Sequence, residues 1–551
     1  MRIVYAVAAA WLLAGVAFAG GYLLHDYTAL RDYYLALGPL YREAQWTTDF
    51  FTPATKAAAD RWAVLGLVMG LMALGALAIA WRKHSPRHYG ALFARQDLPW
   101  LVALLVLQVA LWYYGHSLLP VAFDEAFSAV HAAGAGPFVA LAYYMLPNNH
   151  LLFNFLNALC FGWAGDLVLT GRILSLLAYL ATGVLLYGWL RRLLGGRLVA
   201  FSLSLLLLVL LPSWGFAVQA RGYALLYFFS WGAFICTWRY IQGGRGRRME
   251  TLLGISCALG YATVPVFLYV HLGLLAWIGA NWVRELRVDW WLVGSQAVAG
   301  VAVLLFYLPA ISFSGLGAIT GNRYVAGQGG GVIDFVKQFL PTLPDYVNYL
   351  ALDLGQWIWY LLPVLLVTAL ILGLRSADGA RRSLTQGVGW VLLATLATVL
   401  LMRAVPFHRT LGFQLQLVGL LLALLVVPGR GPATGGGRWW YRCSGGWLLA
   451  AAALIYLTPA KFSLHLYYYG IVPTHRSVVG LLDEVPDGAV VGTSDEAFYA
   501  RYLLEQQERH DATEPTYYVK REFEPLPTGE WERVGVDAEF ILLKRVLVDK
   551  E

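Results

Sequence analysis

The chain has 551 residues, 59% of them hydrophobic and only 13% charged, with a mean hydropathy of +0.60 and a formal net charge of +7. A soluble domain carries about one-quarter charged residues, so an ordinary soluble protein is excluded. The positive charge is no nucleic-acid signal, because most Lys and Arg fall in short loops between apolar runs, where they report topology.

The apolar runs are about 18 to 22 residues long, enough to cross a hydrocarbon core as helices. They lack the strict alternation of a membrane barrel. The first run, Val4–Leu24, reads as an uncleaved anchor rather than a signal peptide, although Ala17-Phe18-Ala19 resembles a cleavage site. An aromatic and charged loop with an interfacial helix follows, then a span at Trp62–Trp81. Arg82-Lys83-His84, with Arg87 and Arg95, marks a cytoplasmic loop. A third span, Trp100–His116, leads out to Asp124-Glu125. Residues 125–146 read as an amphipathic or interfacial helix broken by Gly134, Gly136 and Pro137, and 151–165 as an apolar helix too short to span.

The fourth span is expected at Ile173–Leu190, ending at Arg191-Arg192. Spans follow at Leu198–Leu211 and from Tyr223 to Arg239. Residues 251–282 cross twice, turning near Ala262-Thr263-Val264-Pro265. Trp290–Ile311 leads to a long outer loop over 312–352, which includes Gly327–Gly331. Further spans precede Arg375, cover Val388–Met402, return to the basic loop Arg430–Arg442, and run over Gly446–Thr458. Basic residues fall on alternate loops nearly throughout, giving about thirteen transmembrane helices.

From about Pro459 the composition changes to that of a small extracytoplasmic α/β domain, with strands at Val490–Thr493, Tyr517–Val519 and Phe540–Leu547 and a helix at Glu496–Gln507. The expected division is a two-span extension over 1–97, a transmembrane core over 98–459 and the α/β domain over 460–551. Cys160, Cys236, Cys257 and Cys443 show neither metal spacing nor a disulfide framework. No phosphate-cradling glycine loop and no internal repeat is present.

Four polar groups fall at outer mouths of spans: Asp124-Glu125, Asn149-His150, Arg221-Gly222-Tyr223 and His408-Arg409. A carboxylate at the boundary of water and lipid can be a general base or a metal ligand; it can equally start a helix as cap and first-turn acid. His150 can orient a substrate or lie in a loop. Arg172, Arg221 and Arg409 stand where the positive-inside bias leaves few cations. Each is a phosphate clamp through its planar fork or a snorkelling anchor. Tyr269 and His271 lie inside a span, where His271 reads as a satisfied core histidine.

Five motifs occur in order: Phe123-Asp124-Glu125; Pro147-Asn148-Asn149-His150-Leu151-Leu152-Phe153; Gly171-Arg172-Ile173-Leu174-Ser175; Leu193-Leu194-Gly195-Gly196-Arg197; and Gln219-Ala220-Arg221-Gly222-Tyr223. In this order and spacing the chain resembles integral-membrane glycosyltransferases of the GT-C class, of the protein mannosyltransferase and aminoarabinose transferase type. The motif-rich match covers about residues 98–240. The resemblance implies an all-α polytopic GT-C-like fold and a polyprenyl-phosphate sugar as donor. It implies hexosyl or pentosyl transfer to a hydroxyl of a glycan, lipid or protein on the extracytoplasmic face of the plasma membrane. It implies Asp124 as base, with Glu125 beside it, and Arg221 and Arg409 on the departing phosphate. Arg172 is a further phosphate candidate, and Asn149, His150, Tyr223 and His408 orient substrate. No cofactor is fixed by the residues, and a divalent metal at the carboxylates stays open. A transporter or flippase of a polar lipid is the competing class; it favours inverted repeats and mid-membrane charges.

Overall fold

A computed structural model describes residues 2–38, 42–82, 93–146, 149–164, 166–320, 331–342, 358–404, 408–427, 435–457, 471–487, 489–494, 497–507, 509, 515–524, 526–527, 530–537 and 539–546. The basic segments over 83–92 and 428–434, the glycine-rich 321–330 and residues Pro147, Asn148, Pro406 and Phe407 lie outside the described residues, as does the His408 side chain.

The chain is a multi-pass membrane protein. Among the described residues, eight helices are long and apolar enough to cross a bilayer: Ile3–Leu23, Pro53–Trp81, Arg95–Leu118, Leu167–Leu194, Pro265–Glu285, Trp290–Ser314, Gly379–Met402 and Arg409–Val426. Four shorter apolar helices accompany them, at Leu151–Cys160, Arg197–Val209, Leu361–Leu374 and Cys443–Leu454. In lipid a backbone must satisfy its own hydrogen bonds, so unbroken apolar runs become helices. Trp290–Ser314, with 25 residues, rises about 37 Å at 1.5 Å per residue, more than the hydrocarbon thickness.

Most expected spans coincide with helices. Where the sequence suggested a double crossing, a helix runs over Arg247–Thr263 and another over Leu268–Glu285, with Pro265 opening a single tight turn between them; of the two, only the second is long and apolar enough to count among the eight. The short apolar helix runs over Leu151–Ala164. The fourth span differs. Asp166 accepts hydrogen bonds from the Val168 and Leu169 amides at 2.9 and 3.0 Å, capping a helix that runs over Leu167–Leu194. It therefore begins six residues before the expected start at Ile173. Arg172, expected at a helix mouth, lies inside the helix and is 3% exposed.

The loop after the first span folds into a helix, Tyr27–Leu35. Its aromatic residues form a dry stack with the end of Trp290–Ser314: the Tyr34 ring lies 4.5 Å from Trp46 and 4.8 Å from Phe313. His271 is half-buried and bonded, 3.1 Å from the Tyr261 hydroxyl and 3.2 Å from Gln296 Oε1. All four cysteines are free.

The C-terminal residues form a four-stranded sheet, ordered β1 (Val491–Thr493), β2 (Tyr517–Arg521), β4 (Phe540–Arg545), β3 (Trp531–Asp537). β1 pairs parallel with β2; β2–β4 and β4–β3 are antiparallel. The helices Ile471–Asp483 and Phe498–Gln506 flank it. β3 was not expected from the sequence; none of its residues is buried. The sheet sits against the membrane-spanning part. Tyr499 donates to the Val121 carbonyl at 2.7 Å, and one apolar cluster joins Phe127 and Leu167 to Val478, Val519 and Leu542.

Candidate active site

The Phe123–Phe127 helix is a single turn that directs two adjacent carboxylates to different places. Successive helical side chains point about 100° apart. Glu125 turns inward and is fully buried. Its Oε1 accepts from Arg172 Nε at 3.0 Å and from the Ala220 amide at 2.5 Å; its Oε2 accepts from Arg172 Nη2 at 2.9 Å and from the Ala122 amide at 2.7 Å. Arg172 completes its fork with the Leu119 and Pro120 carbonyls, at 3.1 and 3.0 Å, and with His116 Nδ1 at 3.1 Å. All five guanidinium N–H groups are thereby used, so Arg172 offers no donor to a phosphate. The pair fastens the 119–125 segment to the long helix and to the 219–221 loop.

The same loop is held by Ser175, whose hydroxyl donates to the Gln219 carbonyl at 2.6 Å. Gly171 makes the approach feasible, since a Cβ there would lie 2.6 Å from the Ala220 methyl. Asn149 is likewise structural. Its amide donates to the Ala140 carbonyl at 3.0 Å and to the Tyr143 carbonyl, and its oxygen accepts from Asn154 at 2.8 Å. Arg197, at the end of the glycine pair, reaches Asp97 at 3.1 Å, beside Arg191 at 3.2 Å.

Asp124 turns outward into a cavity of about 380 Å³. Its Oδ2 lies 3.3 Å from Arg221 Nη2 and 3.3 Å from Arg409 Nη1, and its main-chain oxygen accepts from Arg221 Nη1 at 3.3 Å. Phe216, Gln219 and Tyr223 line the same wall. Behind Arg221 sits buried His150. The Gly222 amide donates to its Nδ1 at 2.8 Å, so the neutral ring carries its proton on Nε2. That atom lies 3.4 Å from Arg221 Nη2. Both are donors, so they do not bond to each other. Gly222 is required here, because a Cβ would lie 2.7 Å from His150 Nδ1. Tyr223 meets the His150 ring edge-to-face at 4.9 Å.

Burial, reinforced by the Arg221 and Arg409 charges, holds His150 well below the usual histidine range. In the unfolded chain a histidine titrates near about 6.5. Between the two values the unfolded state binds the extra proton, so His150 contributes full stability above about pH 6.5 and loses it as pH falls. Thermal unfolding of the purified protein between pH 8 and pH 5, roughly the span over which histidines titrate, is expected to show a falling midpoint on the acid side. A His150→Gln variant is expected to show a shallower fall; equal slopes would remove His150 from the account.

Four of the residues singled out in the sequence thus share the cavity wall: Asp124, Arg221, Tyr223 and Arg409. His150 backs it, while Glu125, Arg172 and Asn149 build the frame. The opposite wall was not anticipated. Thr474, Ser477, Arg521, Glu539 and Phe540 come from the C-terminal helix and sheet. The 471–483 helix gave no warning because it follows a change of composition that reads as the start of a separate domain. Among the described residues no group of three or more His, Cys, Asp or Glu could hold a metal ion. Two guanidinium groups beside Asp124 also make a cationic setting unsuited to one.

No protein-family model matches the sequence, and no curated protein matches it either. The fold does have solved counterparts. ArnT from Cupriavidus metallidurans in the apo state superposes with a TM-score of 0.51 at 12% identity, over 82% of this chain and 98% of that one. The chain has a GT-C fold. ArnT bound to undecaprenyl phosphate gives 0.46 at 14% identity with the same coverage. The arabinosyltransferase EmbB from Mycobacterium smegmatis gives 0.43 at 13% identity, over 87% of this chain and 49% of EmbB. At these identities the GT-C likeness concerns architecture; the chemistry rests on the cavity.

Proposed function

We propose that the protein is an integral-membrane glycosyltransferase that moves a sugar from a polyprenyl-phosphate donor to an acceptor hydroxyl on the extracytoplasmic face of the plasma membrane. The observation that carries this reading is one carboxylate, Asp124, shared by two guanidinium groups, Arg221 and Arg409, in a cavity beside the membrane helices. A phosphate between the two arginines competes with Asp124 for their donors and leaves the carboxylate available. The acceptor oxygen attacks the anomeric carbon, its proton passes to Asp124, and the bond from that carbon to the phosphate oxygen breaks. The electron pair leaves with the polyprenyl phosphate, which gains one negative charge. Arg221 and Arg409 neutralise that charge. His150, buried behind Arg221, accepts from the Gly222 amide and so positions the loop that carries Arg221. Direct attack inverts the sugar carbon. That ArnT has been solved with undecaprenyl phosphate supports the lipid class of the donor.

Incubation of purified protein with a panel of polyprenyl-phosphate sugars, followed by mass spectrometry of the products, tests the reading. Absence of sugar transfer from every donor, with no binding of polyprenyl phosphate, would overturn it. Arg221→Ala and Arg409→Ala are each expected to weaken use of the lipid donor by about 10- to 100-fold, the value of a charge-assisted hydrogen bond, with folding nearly intact. Unchanged donor kinetics in both variants would reduce them to anchors.

The orientation belongs to the same proposal. Basic loops alternate with outer polar loops, so the segment ending at Arg95 is cytoplasmic and residues 460–551 are extracytoplasmic. Reporter fusions at Arg95 and Glu551 are expected to give opposite localisation signals; matching signals would reject this topology.

A further inference from the structure

The cavity has two chemically different walls. The membrane-side wall carries Arg221 and Arg409 around Asp124 and is suited to a phosphate. The wall supplied by the C-terminal elements carries a guanidinium, a carboxylate, two hydroxyls and one aromatic ring, Phe540. Arg521, the last residue of β2, contacts the Glu539 carboxylate just before β4. Its guanidinium lies 5.6 Å from the Phe123 ring and 5.7 Å from the Phe540 ring. Phe123 immediately precedes Asp124, so the sheet meets the Asp124 turn through this stack. Arg521 Nε is buried with no hydrogen-bond partner among the described residues. Glu539 keeps 65% of its side chain exposed. Thr474 and Ser477 lie one helical turn apart on the Ile471–Asp483 helix and add hydroxyls to the same lining.

A prenyl chain needs an apolar groove and has no use for these groups. A sugar ring has hydroxyls for a carboxylate, a guanidinium and a threonine hydroxyl to bridge. From this we infer that Arg521, Glu539 and Thr474, set against Phe123 and Phe540, form a sugar-recognising subsite that reads the ring presented to Asp124. The inference rests on the glycosyltransferase reading and adds to it the wall that sets sugar specificity. The ring can belong to the donor or to a glycan acceptor; the recognition chemistry is the same.

The test is binding to full-length protein in nanodiscs, measured for three probes: sugar-free undecaprenyl phosphate, undecaprenyl-phosphate hexoses and pentoses, and free oligosaccharides. The wild type is expected to hold at least one sugar-bearing probe through contacts the bare lipid lacks. Glu539→Gln and Thr474→Ala are each expected to weaken that probe by about tenfold, as for loss of one hydrogen bond to a charged or polar partner. Their dissociation constants for the bare lipid stay at the wild-type value, which also shows that the variants are folded. A loss confined to glycosylated lipids assigns the subsite to the donor; a loss confined to oligosaccharides assigns it to the acceptor. The inference is overturned if neither sugar-bearing probe gains over the bare lipid in the wild type. It is also overturned if the variants bind sugars as well as wild type, or lose the bare lipid in equal measure. Failure of the wild type to bind undecaprenyl phosphate at all is a different result and strikes the glycosyltransferase reading itself.

Discussion

Asp124→Asn is expected to cut sugar transfer by about 10²–10⁴-fold, the usual contribution of a positioned general base. A hydroxyl is a weak nucleophile at neutral pH, and in this cavity Asp124 is the carboxylate that touches both arginines. Asn keeps the size and a hydrogen-bonding oxygen, so the Arg221 and Arg409 side chains retain a neutral partner. Donor binding is therefore expected to stay close to wild type or to tighten, since the competing negative charge is gone, while kcat falls. A loss in kcat with little change in KM is the signature of an interaction needed in the transition state. The measurement is single-turnover transfer in matched nanodiscs. A variant within a fewfold of wild type would remove Asp124 from the role of base.

Glu125→Gln should fail in a different way. Glu125 and Arg172 form a pair buried on both sides, and removing one partner of such a pair costs about 3–5 kcal/mol because the other charge is left without compensation. The Gln side chain also cannot accept all four hydrogen bonds that Glu125 receives. The expected outcome is a marked fall in folded yield and in the thermal midpoint, with residual activity scaling with the folded fraction. Glu125→Gln combined with Arg172→Met removes the uncompensated charge and is expected to recover part of that stability. If Glu125→Gln folded normally but lost all turnover, Glu125 rather than Asp124 would be the working carboxylate, and the division of labour between the two neighbours would be reversed.

That division shows where a linear reading stops. Hydrophobic run length and the alternation of basic loops are local properties, so the membrane class and most helix positions were legible directly. The polar groups at the span mouths were legible too, because Arg221 and Arg409 stand apart from the basic loops. The phase of a one-turn helix is not local. Which of Asp124 and Glu125 faces the cavity depends on Arg172, 47 positions away, and on the Ala220 amide, 95 away. Arg172 itself was misread as a mouth residue because the Asp166 cap, which lengthens its helix, looks like any loop aspartate. Arg409 reaches Asp124 across 285 positions, a pairing no motif spacing encodes. The C-terminal wall was the least visible. Its strands β2 and β4 were largely legible, but Arg521, Glu539 and Phe540 acquire meaning only when the sheet packs against the Asp124 turn. By itself the sequence determined that the protein is a membrane-embedded helical array with polar groups at the mouths of its helices, since burial of apolar surface and self-satisfied backbone leave little alternative. Only the tertiary structure decided which polar residues hold the frame and which face the cavity, because long-range pairing and packing orient each side chain.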